Sequence, residues 1–271
     1  MRKYTWLSVI FAVLIIIASA VIVSRILSED MRGEEKGRAE ELHEHGRGLP
    51  KLALVLDDFG YTRKNLAGLK AMGIPLTLAV LPDTPYSKAV CVFAGQSGME
   101  IILHLPMEPE RKTASLEHST ILADMDEETM KNIISSAFLS IPGAKGVSNH
   151  MGSKATKDAR VLRIVFGELK KKGVFFLDSR TTDESLCPEI AKDTGITCIK
   201  RDVFIDNKLE AEDIARNMEK AVETARLNGS AVAIGHDRSV TVETLQEIVP
   251  RMEEKGIQFV TLSELARDRG D

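Results

Sequence analysis

The feature that most constrains the fold is an apolar run that ends in two adjacent carboxylates, Asp57 and Asp58. The run at 52–56 is uninterrupted, which is typical of a strand buried on both faces of a parallel sheet. Two neighbouring carboxylates cannot both enter a core, because burying an unpaired charge costs several kcal/mol. We therefore expect them to meet water, a metal ion or a ligand where the strand ends.

The same arrangement recurs along the chain, with further apolar stretches followed by His104, His150, Asp178 and His236. In a β/α barrel the carboxyl ends of the strands meet at one end of the molecule, and active sites form there. The recurrence therefore predicts one site built from several strand ends.

Apolar and amphipathic segments alternate from position 51 onward, which indicates a parallel sheet with right-handed helical crossovers. Seven or eight such units favour an α/β fold with a single (β/α) barrel, closed or incomplete, over an open doubly wound sheet. No glycine-rich loop follows the first strand, so no nucleotide cofactor is expected. The predicted strands are 52–56, 76–81, 101–105, 146–149, 174–177, 202–205, 231–235 and 258–261. The predicted helices are 62–72, 87–97, 127–140, 158–172, 211–227 and 242–255.

Residues 1–24 are predicted to be a membrane anchor or a signal segment. Positions 6–24 carry no charge and have about the length that a helix needs to cross a bilayer. Arg2 and Lys3 precede this stretch, so the positive-inside tendency predicts that the rest of the chain is exported to the cell envelope. The stretch Ala18-Ser19-Ala20 leaves open a cleaved signal, which would make the domain secreted or periplasmic.

Residues 25–50 are charge-dense and are predicted to be a linker, which leaves 51–271 for the folded domain. The whole chain of 271 residues has 44% hydrophobic and 28% charged residues and a net charge of −4. These values favour a folded core, and without a basic stripe nucleic acid is not an expected partner. The three cysteines show no CxxC spacing. Pairing of Cys187 with Cys198 and two buried thiols both remain open.

The residue types at the strand ends point to a mixed carboxylate and imidazole metal site. One Asp with two His, and open positions for water, suits Zn²⁺ or another divalent first-row ion. A second carboxylate could then act as a base and a histidine from another strand as an acid. Helix capping by Asp57 or Asp58, and a hydrogen-bonded turn at His236, are the structural alternatives.

Six blocks of the sequence resemble the divergent polysaccharide deacetylase family, distant relatives of carbohydrate esterase family four. The resemblance covers about residues 51–265, nearly the whole predicted domain. The blocks are LVLDDFG at 54–60, HLPMEP at 104–109, GVSNHMGS at 146–153, FFLDSRT at 175–181, RDVFIDN at 201–207 and AIGH at 233–236.

The resemblance implies a role for each matching residue. Asp57 corresponds to the catalytic base, Asp58 and His104 to metal ligands, and His236 to the catalytic acid. The family's second metal-binding histidine is replaced here by Glu108, so either His150 or Glu108 is expected to complete the site. Three further residues are expected, from their location at strand ends alone, to bind or orient substrate or metal ligands, namely Asn149, Asp178 and Arg180.

Three functions follow. The first is a membrane-tethered hydrolase that uses a divalent metal, zinc in the first place, to remove acetyl groups from an envelope polysaccharide. The second is a non-catalytic glycan-binding or regulatory protein on the same barrel, suggested by Glu108. The third is a glycosidase with Asp57 and Asp178 as paired carboxylates.

Overall fold

The computed structural model describes residues 48–111 and 116–268. The folded unit extends from Pro50 onward. The predicted anchor or signal segment at 1–24, and the predicted linker up to residue 47, lie outside the described residues. Within the part that is described, no helix combines the length and the apolar character needed to cross a bilayer.

The described residues form nine strands and eight α-helices, which alternate except that the sixth strand is followed directly by the seventh. The strands are β1 (Lys51–Phe59), β2 (Thr77–Val80), β3 (Glu100–Met107), β4 (Gly146–Met151), β5 (Phe175–Asp178), β6 (Cys198–Lys200), β7 (Val203–Phe204), β8 (Ser230–His236) and β9 (Gln258–Val260). The helices are α1 (Leu66–Ala71), α2 (Ser87–Gln96), α3 (Glu127–Ser140), α4 (Ala159–Lys172), α5 (Cys187–Thr194), α6 (Ala211–Asn228), α7 (Ser239–Glu254) and α8 (Leu262–Asp268).

The strands form one parallel sheet in the order β6-β5-β4-β3-β2-β1-β8-β7, with β9 beside the start of β1. The two edge strands, β6 and β7, are separated in the chain by only Arg201 and Asp202. The amide of Arg201 donates to Asp178 O at one edge, and that of Asp202 donates to Val232 O at the other. This dipeptide therefore spans the seam of the curled sheet. The predicted single, incomplete (β/α) barrel is confirmed for this domain.

Alternate residues of the strands face two separate apolar clusters, as the two-residue period of a strand requires. The inner cluster contains strand residues such as Val55, Ile102 and Ile234, together with Leu262 of α8. The outer cluster contains their neighbours in the strands and the buried faces of α1–α7. The barrel interior is thus a packed core that α8 closes.

Helix α8 covers the amino ends of β2 and β3 through a small buried hydrogen-bond network. Thr77 Oγ1 donates to Glu100 Oε1 at 2.9 Å and accepts from the Leu262 amide at 3.0 Å. The same Glu100 oxygen accepts from the Ser263 amide at 3.0 Å. With this end of the barrel closed, the opposite end is left for chemistry.

Candidate metal centre and active site

Strand periodicity brings four of the predicted site residues to the inner face of the barrel at its carboxyl end. Asp57, His104 and His236 each follow an inner-cluster residue by two positions. His150 follows Ser148 by the same step, and Ser148 contacts His104 directly. Asp57 and His236 also lie side by side in the register of β1 and β8.

Asp58 joins this group only because the backbone departs from strand geometry. Its φ angle is +66°, in the left-handed region, and the β1–β2 register shifts between Leu56 and Phe59. In a regular strand the side chains of Asp57 and Asp58 would face opposite sides of the sheet. The irregularity brings both carboxylates near one nitrogen, with Asp57 Oδ2 3.7 Å and Asp58 Oδ1 3.2 Å from His104 Nε2.

Among the described residues, one group of three side chains has ligand atoms close enough together to hold a metal ion: Asp58, His104 and His150. Asp58 Oδ1 lies 3.0 Å from His150 Nδ1, and the two imidazole nitrogens lie 3.3 Å apart. Burial opposes ionisation of Asp58, but hydrogen bonds from both histidines outweigh it and hold the pKa of Asp58 well below its ordinary value.

The spacing of these three donor atoms fits a small divalent ion. Ligand atoms about 2.1 Å from a tetrahedral zinc ion lie roughly 3.4 Å from one another. The observed separations of 3.2, 3.0 and 3.3 Å are close to that value. One carboxylate and two imidazoles are also donors that zinc accepts. The three side chains could therefore hold a metal with little movement.

Ser148 orients His104 for such a role. Its hydroxyl lies 2.7 Å from His104 Nδ1, on the adjacent strand and in direct register. If Nδ1 donates this hydrogen bond, the neutral imidazole carries its lone pair on Nε2, which faces the cluster, and such a hydrogen bond from the other nitrogen is usual for a metal-binding histidine. Burial lowers the pKa of His104, but the carboxylates of Asp57 and Asp58 outweigh it and raise the pKa overall.

Asp57 has the environment expected of a general base. Its side chain is 2% exposed, and its Oδ1 atom has no hydrogen-bond partner among the described residues. Burial raises the pKa of Asp57, and the nearby His104 only partly offsets this. A buried carboxylate with a raised pKa and an unused oxygen is poised to accept a proton.

His236 is held by Asp206 through two hydrogen bonds. Its Nδ1 lies 2.8 Å from Asp206 Oδ1, and its amide donates to Asp206 Oδ2 at 2.8 Å. Burial lowers the pKa of His236, but Asp206 outweighs it and raises the pKa overall. For Asp206, burial is likewise outweighed by His236, so the pKa of this carboxyl is lowered. The pairing favours a protonated imidazole whose Nε2–H is left to act as an acid.

One aromatic ring packs against this histidine, and a guanidinium in turn packs against that ring. The ring of Phe204 stacks on His236 with centroids 5.7 Å apart and an interplanar angle of 15°. The Arg201 guanidinium lies 3.8 Å from the centroid of Phe204 and donates to the backbone oxygens of Ser179 and Arg180. The seam residue Arg201 thus supports the wall against which His236 lies.

The structure places Glu108 outside the cluster of ligand atoms. Its Oε1 accepts from Lys154 Nζ at 2.8 Å, and its Oε2 accepts from the Ala123 amide at 2.7 Å. Its carbonyl also accepts from the amides of Lys154 and Ala155. The carboxylate that follows β3 therefore ties two loops together. Between the two alternatives for the third ligand, the geometry favours His150.

Asn149 and Asp178 have the opposite strand parity to the inner residues, so their side chains stabilise loops instead of lining the site. Asn149 accepts from the Ser179 amide at 2.9 Å and donates to Met151 O at 2.7 Å, which fixes the backbone beside His150. Asp178 accepts from the Arg180 amide and from Ser185 Oγ. Asn149 and Asp178 thus fit an orienting role better than contact with substrate.

Arg180 is exposed at the end of β5 and has a left-handed φ angle of +49°. Its guanidinium lies 3.3 Å from the exposed carboxylate of Asp183. The role of Arg180 in binding or orienting substrate stays a prediction.

Four residues around the site were given no role from the sequence: Ser148, Arg201, Phe204 and Asp206, of which Asp206 was noted only as a carboxylate beyond a predicted strand. Ser148 could have been found from its two-residue step to His150, and Asp206 from its position just after an apolar strand. Arg201 and Phe204 carry no such signal, because their roles depend on the seam between β6 and β7.

Comparison with known proteins finds a matching family and two similar proteins. Residues 54–266 match the family described as divergent polysaccharide deacetylase. The uncharacterised protein YibQ of Escherichia coli K12 is 40% identical over 199 residues, which cover 73% of this chain but only 62% of YibQ, less than two thirds. An uncharacterised protein of Haemophilus influenzae is 35% identical over 80% of this chain and 77% of its own.

The fold also has a counterpart among solved structures. The crystal structure of the uncharacterised protein ATU2773 from Agrobacterium tumefaciens superposes with a TM-score of 0.76 at 23% identity. The superposition covers 81% of this chain and 90% of that one. Because the family match spans most of the sequence, the chain belongs to the divergent polysaccharide deacetylase family.

Proposed function

We propose that this protein is a metal-dependent hydrolase that removes N- or O-acetyl groups from an envelope polysaccharide. The observation that carries the proposal is the convergence of three ligand-type donors at one end of the barrel with two further groups: a buried carboxylate whose Oδ1 has no hydrogen-bond partner among the described residues, and a histidine held by a carboxylate. These parts match the requirements of hydrolysis at an acyl carbon: a site for a Lewis acid, a base and an acid.

The metal ligands in this proposal are Asp58, His104 and His150, with zinc as the first candidate. A divalent ion at this position would polarise the acetyl carbonyl and lower the pKa of a water toward about 7. Ser148 and Asn149 keep the two histidines in place, the first by hydrogen bonding to His104 and the second by fixing the backbone next to His150.

The protein's own groups perform the two proton transfers. Asp57 accepts the proton of the attacking water through its buried carboxylate, whose raised pKa makes it a better base. Asp206 raises the pKa of His236 against the effect of burial, which favours the protonated imidazole, and in this proposal His236 donates its proton to the departing amine or hydroxyl. The N–C or O–C bond to the acetyl group then breaks, and acetate leaves.

The two other functions have less support from the geometry. A glycosidase would need the Asp178 carboxylate opposite Asp57, but Asp178 is engaged by Arg180 and Ser185. The glycan-binding alternative rested on the replacement at Glu108. Because His150 supplies a third donor, that replacement does not leave the ligand set incomplete.

An extracytoplasmic location is part of the proposal. Its support is the uncharged stretch 6–24 that follows Arg2 and Lys3, with an uncleaved anchor favoured over a cleaved signal. The envelope is also where a deacetylase would meet structural polysaccharides.

The direct test measures acetate release from acetylated chitin and xylan oligosaccharides, which present N-acetyl and O-acetyl groups. We expect zinc-loaded wild type to release acetate from one series, and Asp57→Asn to lose about 10²- to 10⁴-fold in kcat. His236→Ala is expected to lose activity on amide substrates more than on an ester with a good leaving group, which needs less protonation.

Metal content and thermal unfolding serve as controls for both variants. They should match wild type, because neither residue belongs to the ligand set. Wild-type turnover in both variants would overturn the mechanism. A wild type that binds an acetylated glycan tightly but releases no acetate would favour the binding-protein function instead.

A further inference from the structure

The described part of the chain contains two tyrosines, Tyr61 and Tyr86, and both are exposed beside the exit of β1. Tyr61 follows Asp58 by three residues, and the Tyr86 amide donates to Gly60 O at 2.8 Å. Gly60 has a φ angle of +128°, and an added Cβ would lie 2.0 Å from Thr84 Oγ1. The tight backbone contact therefore fixes both tyrosines at one rim of the site.

Tyr61 is held at the rim even though the residue is 53% exposed. Its hydroxyl donates to Glu117 Oε1 at 2.6 Å. Partial burial raises the pKa of Tyr61 to about 12, and the carboxylates of Glu117 and Asp58 add to this effect. The hydroxyl thus remains a donor at any physiological pH.

Glu117 is itself anchored to the barrel. The Thr120 amide donates to Glu117 O, and the next residue, Ile121, donates to Pro106 O of β3. Nearby, Ser119 Oγ donates to Asp83 Oδ2 at 2.8 Å, which fixes this segment to the loop after β2. The segment 116–121 therefore connects β3 with the β1–β2 side and presents a fixed acceptor to Tyr61.

Tyr86 differs from Tyr61 in one respect that matters. The Arg63 guanidinium lies 5.2 Å from the centroid of the Tyr86 ring and covers one of its faces. Among the described residues no cation–π or ring contact involves Tyr61. A fixed, exposed ring with an open face is the kind of surface on which the C–H face of a pyranose packs.

We propose that Tyr61 is the platform of a second sugar subsite, adjacent to the position that presents the acetyl group to Asp57, and that the protein therefore selects oligosaccharides over single sugars. This inference rests on the proposed deacetylase function. Tyr61 acts on specificity, since it packs against a neighbouring sugar and takes no part in bond breaking.

The test compares kcat/KM on chitin and acetylated xylan oligosaccharides of one to five units with kcat/KM on 4-nitrophenyl acetate, which occupies no second subsite. The tetramer-to-ester ratio is kcat/KM for the tetramer divided by kcat/KM for the ester, and the monomer-to-ester ratio is defined in the same way. In wild type we expect the tetramer-to-ester ratio to be higher than the monomer-to-ester ratio by about tenfold or more. Tyr61→Ala should reduce the tetramer-to-ester ratio about tenfold, mainly through KM. Tyr61→Phe keeps the ring and should retain most of the ratio.

Tyr86→Ala is the matched control, because it removes an exposed tyrosine from the same rim. It should keep the wild-type ratio, and an equal loss in Tyr86→Ala would overturn the assignment to Tyr61. A wild type that shows no dependence on chain length, or a Tyr61→Ala variant with an unchanged ratio, would also overturn it.

Equilibrium binding of the same tetramers separates this inference from the proposed function. If wild type releases no acetate but binds a tetramer that Tyr61→Ala binds at least tenfold more weakly, the platform stands and the deacetylase function fails. If wild type deacetylates while both proteins bind equally, the platform fails and the function stands. If wild type neither binds nor deacetylates any tetramer, both are overturned.

Discussion

At the scale of single residues, the site depends on one irregular backbone position. Asp58 adopts a left-handed φ angle, which costs a non-glycine residue of order 1–3 kcal/mol and persists where the surroundings enforce it. Its contacts with His104 and His150 compensate for part of this cost, and a bound cation would compensate further. We therefore attribute the strained backbone at Asp58 to its proposed role as a metal ligand.

Asp206 is expected to set the alkaline limit of activity. His236 acts in its protonated form, so activity is lost as the pH rises through its pKa, and Asp206 raises that pKa. Asp206→Asn keeps a hydrogen-bond acceptor but removes the charge, so the alkaline limb of the kcat/KM profile should move to lower pH. The profile is measured on the acetylated tetramer that wild type cleaves best.

Thr241→Val is the control for that measurement. Thr241 donates to Asp206 Oδ2 at 2.8 Å, so the variant removes a hydrogen bond and retains the carboxylate. Its alkaline limb should move less than that of Asp206→Asn. An alkaline limb that stays in place in Asp206→Asn would show that Asp206 does not control His236.

Glu108 and His150 are distinguished by metal affinity. His150→Ala removes a ligand and should weaken zinc binding by at least about tenfold. Glu108→Gln should keep one metal per chain, because the carboxylate contacts Lys154 and the Ala123 amide instead of the ligand cluster. Titration of metal-free protein with zinc measures both. If His150→Ala retains zinc binding and Glu108→Gln loses it, the third ligand is Glu108 and not His150.

At the scale of elements, the two ends of the barrel have different tasks. The carboxyl ends of β1, β3, β4 and β8 supply the site, while the amino ends of β2 and β3 receive α8. Thr77 and Glu100 link α8 to the barrel with buried hydrogen bonds. Substitutions at the amino end should therefore change stability without changing the chemistry.

Thr77→Val tests this separation. Loss of the hydroxyl leaves Glu100 Oε1 and the Leu262 amide short of a partner, so unfolding free energy should fall by about 1–3 kcal/mol. Urea denaturation measures the loss, and kcat on an acetylated substrate should stay within about twofold of wild type. Thr77→Ser keeps the hydroxyl and should be markedly more stable than Thr77→Val. Equal stability of the two would argue against the network.

The sequence predicts the long elements well and the short ones poorly. Strand β1 and the helices α3 and α6 follow from continuous apolar or amphipathic patterns. Strand β6 has three residues, of which only Ile199 is buried. Helix α8 has seven residues. Such short segments are stabilised by tertiary contacts, which no local pattern records.

The site residues can be predicted where they follow the two-residue period of a strand, but not where their role depends on contacts between distant parts of the chain. The two-residue period places Asp57, His104 and His236 together as soon as a barrel is assumed. The choice between His150 and Glu108 depends on the ion pair that Glu108 forms with Lys154, and the sequence does not show this contact. The outward parity of Asp178 could have been derived, because Phe175 and Leu177 form the inner face of β5.

At the scale of the whole molecule, the proposed role requires the barrel to lie outside the cytoplasm. Full-length protein expressed in a Gram-negative host should fractionate with membranes, and external protease should reach the barrel after the outer membrane is permeabilised. Arg2→Glu with Lys3→Glu removes the charges that orient the N-terminus and should reduce export. A soluble product beginning near residue 21 would indicate a cleaved signal, and a protease-resistant cytoplasmic barrel would contradict export.

We propose that one divalent ion, held by Asp58, His104 and His150, makes this barrel a deacetylase. The most direct measurement is acetate release as metal-free protein is titrated with zinc, with Asp57→Asn as a control that binds metal. We expect no release without metal, activity that rises to a plateau at one zinc per chain, and little activity in Asp57→Asn at the same occupancy. Acetate release that is independent of added metal, or equal in the two proteins, would contradict it.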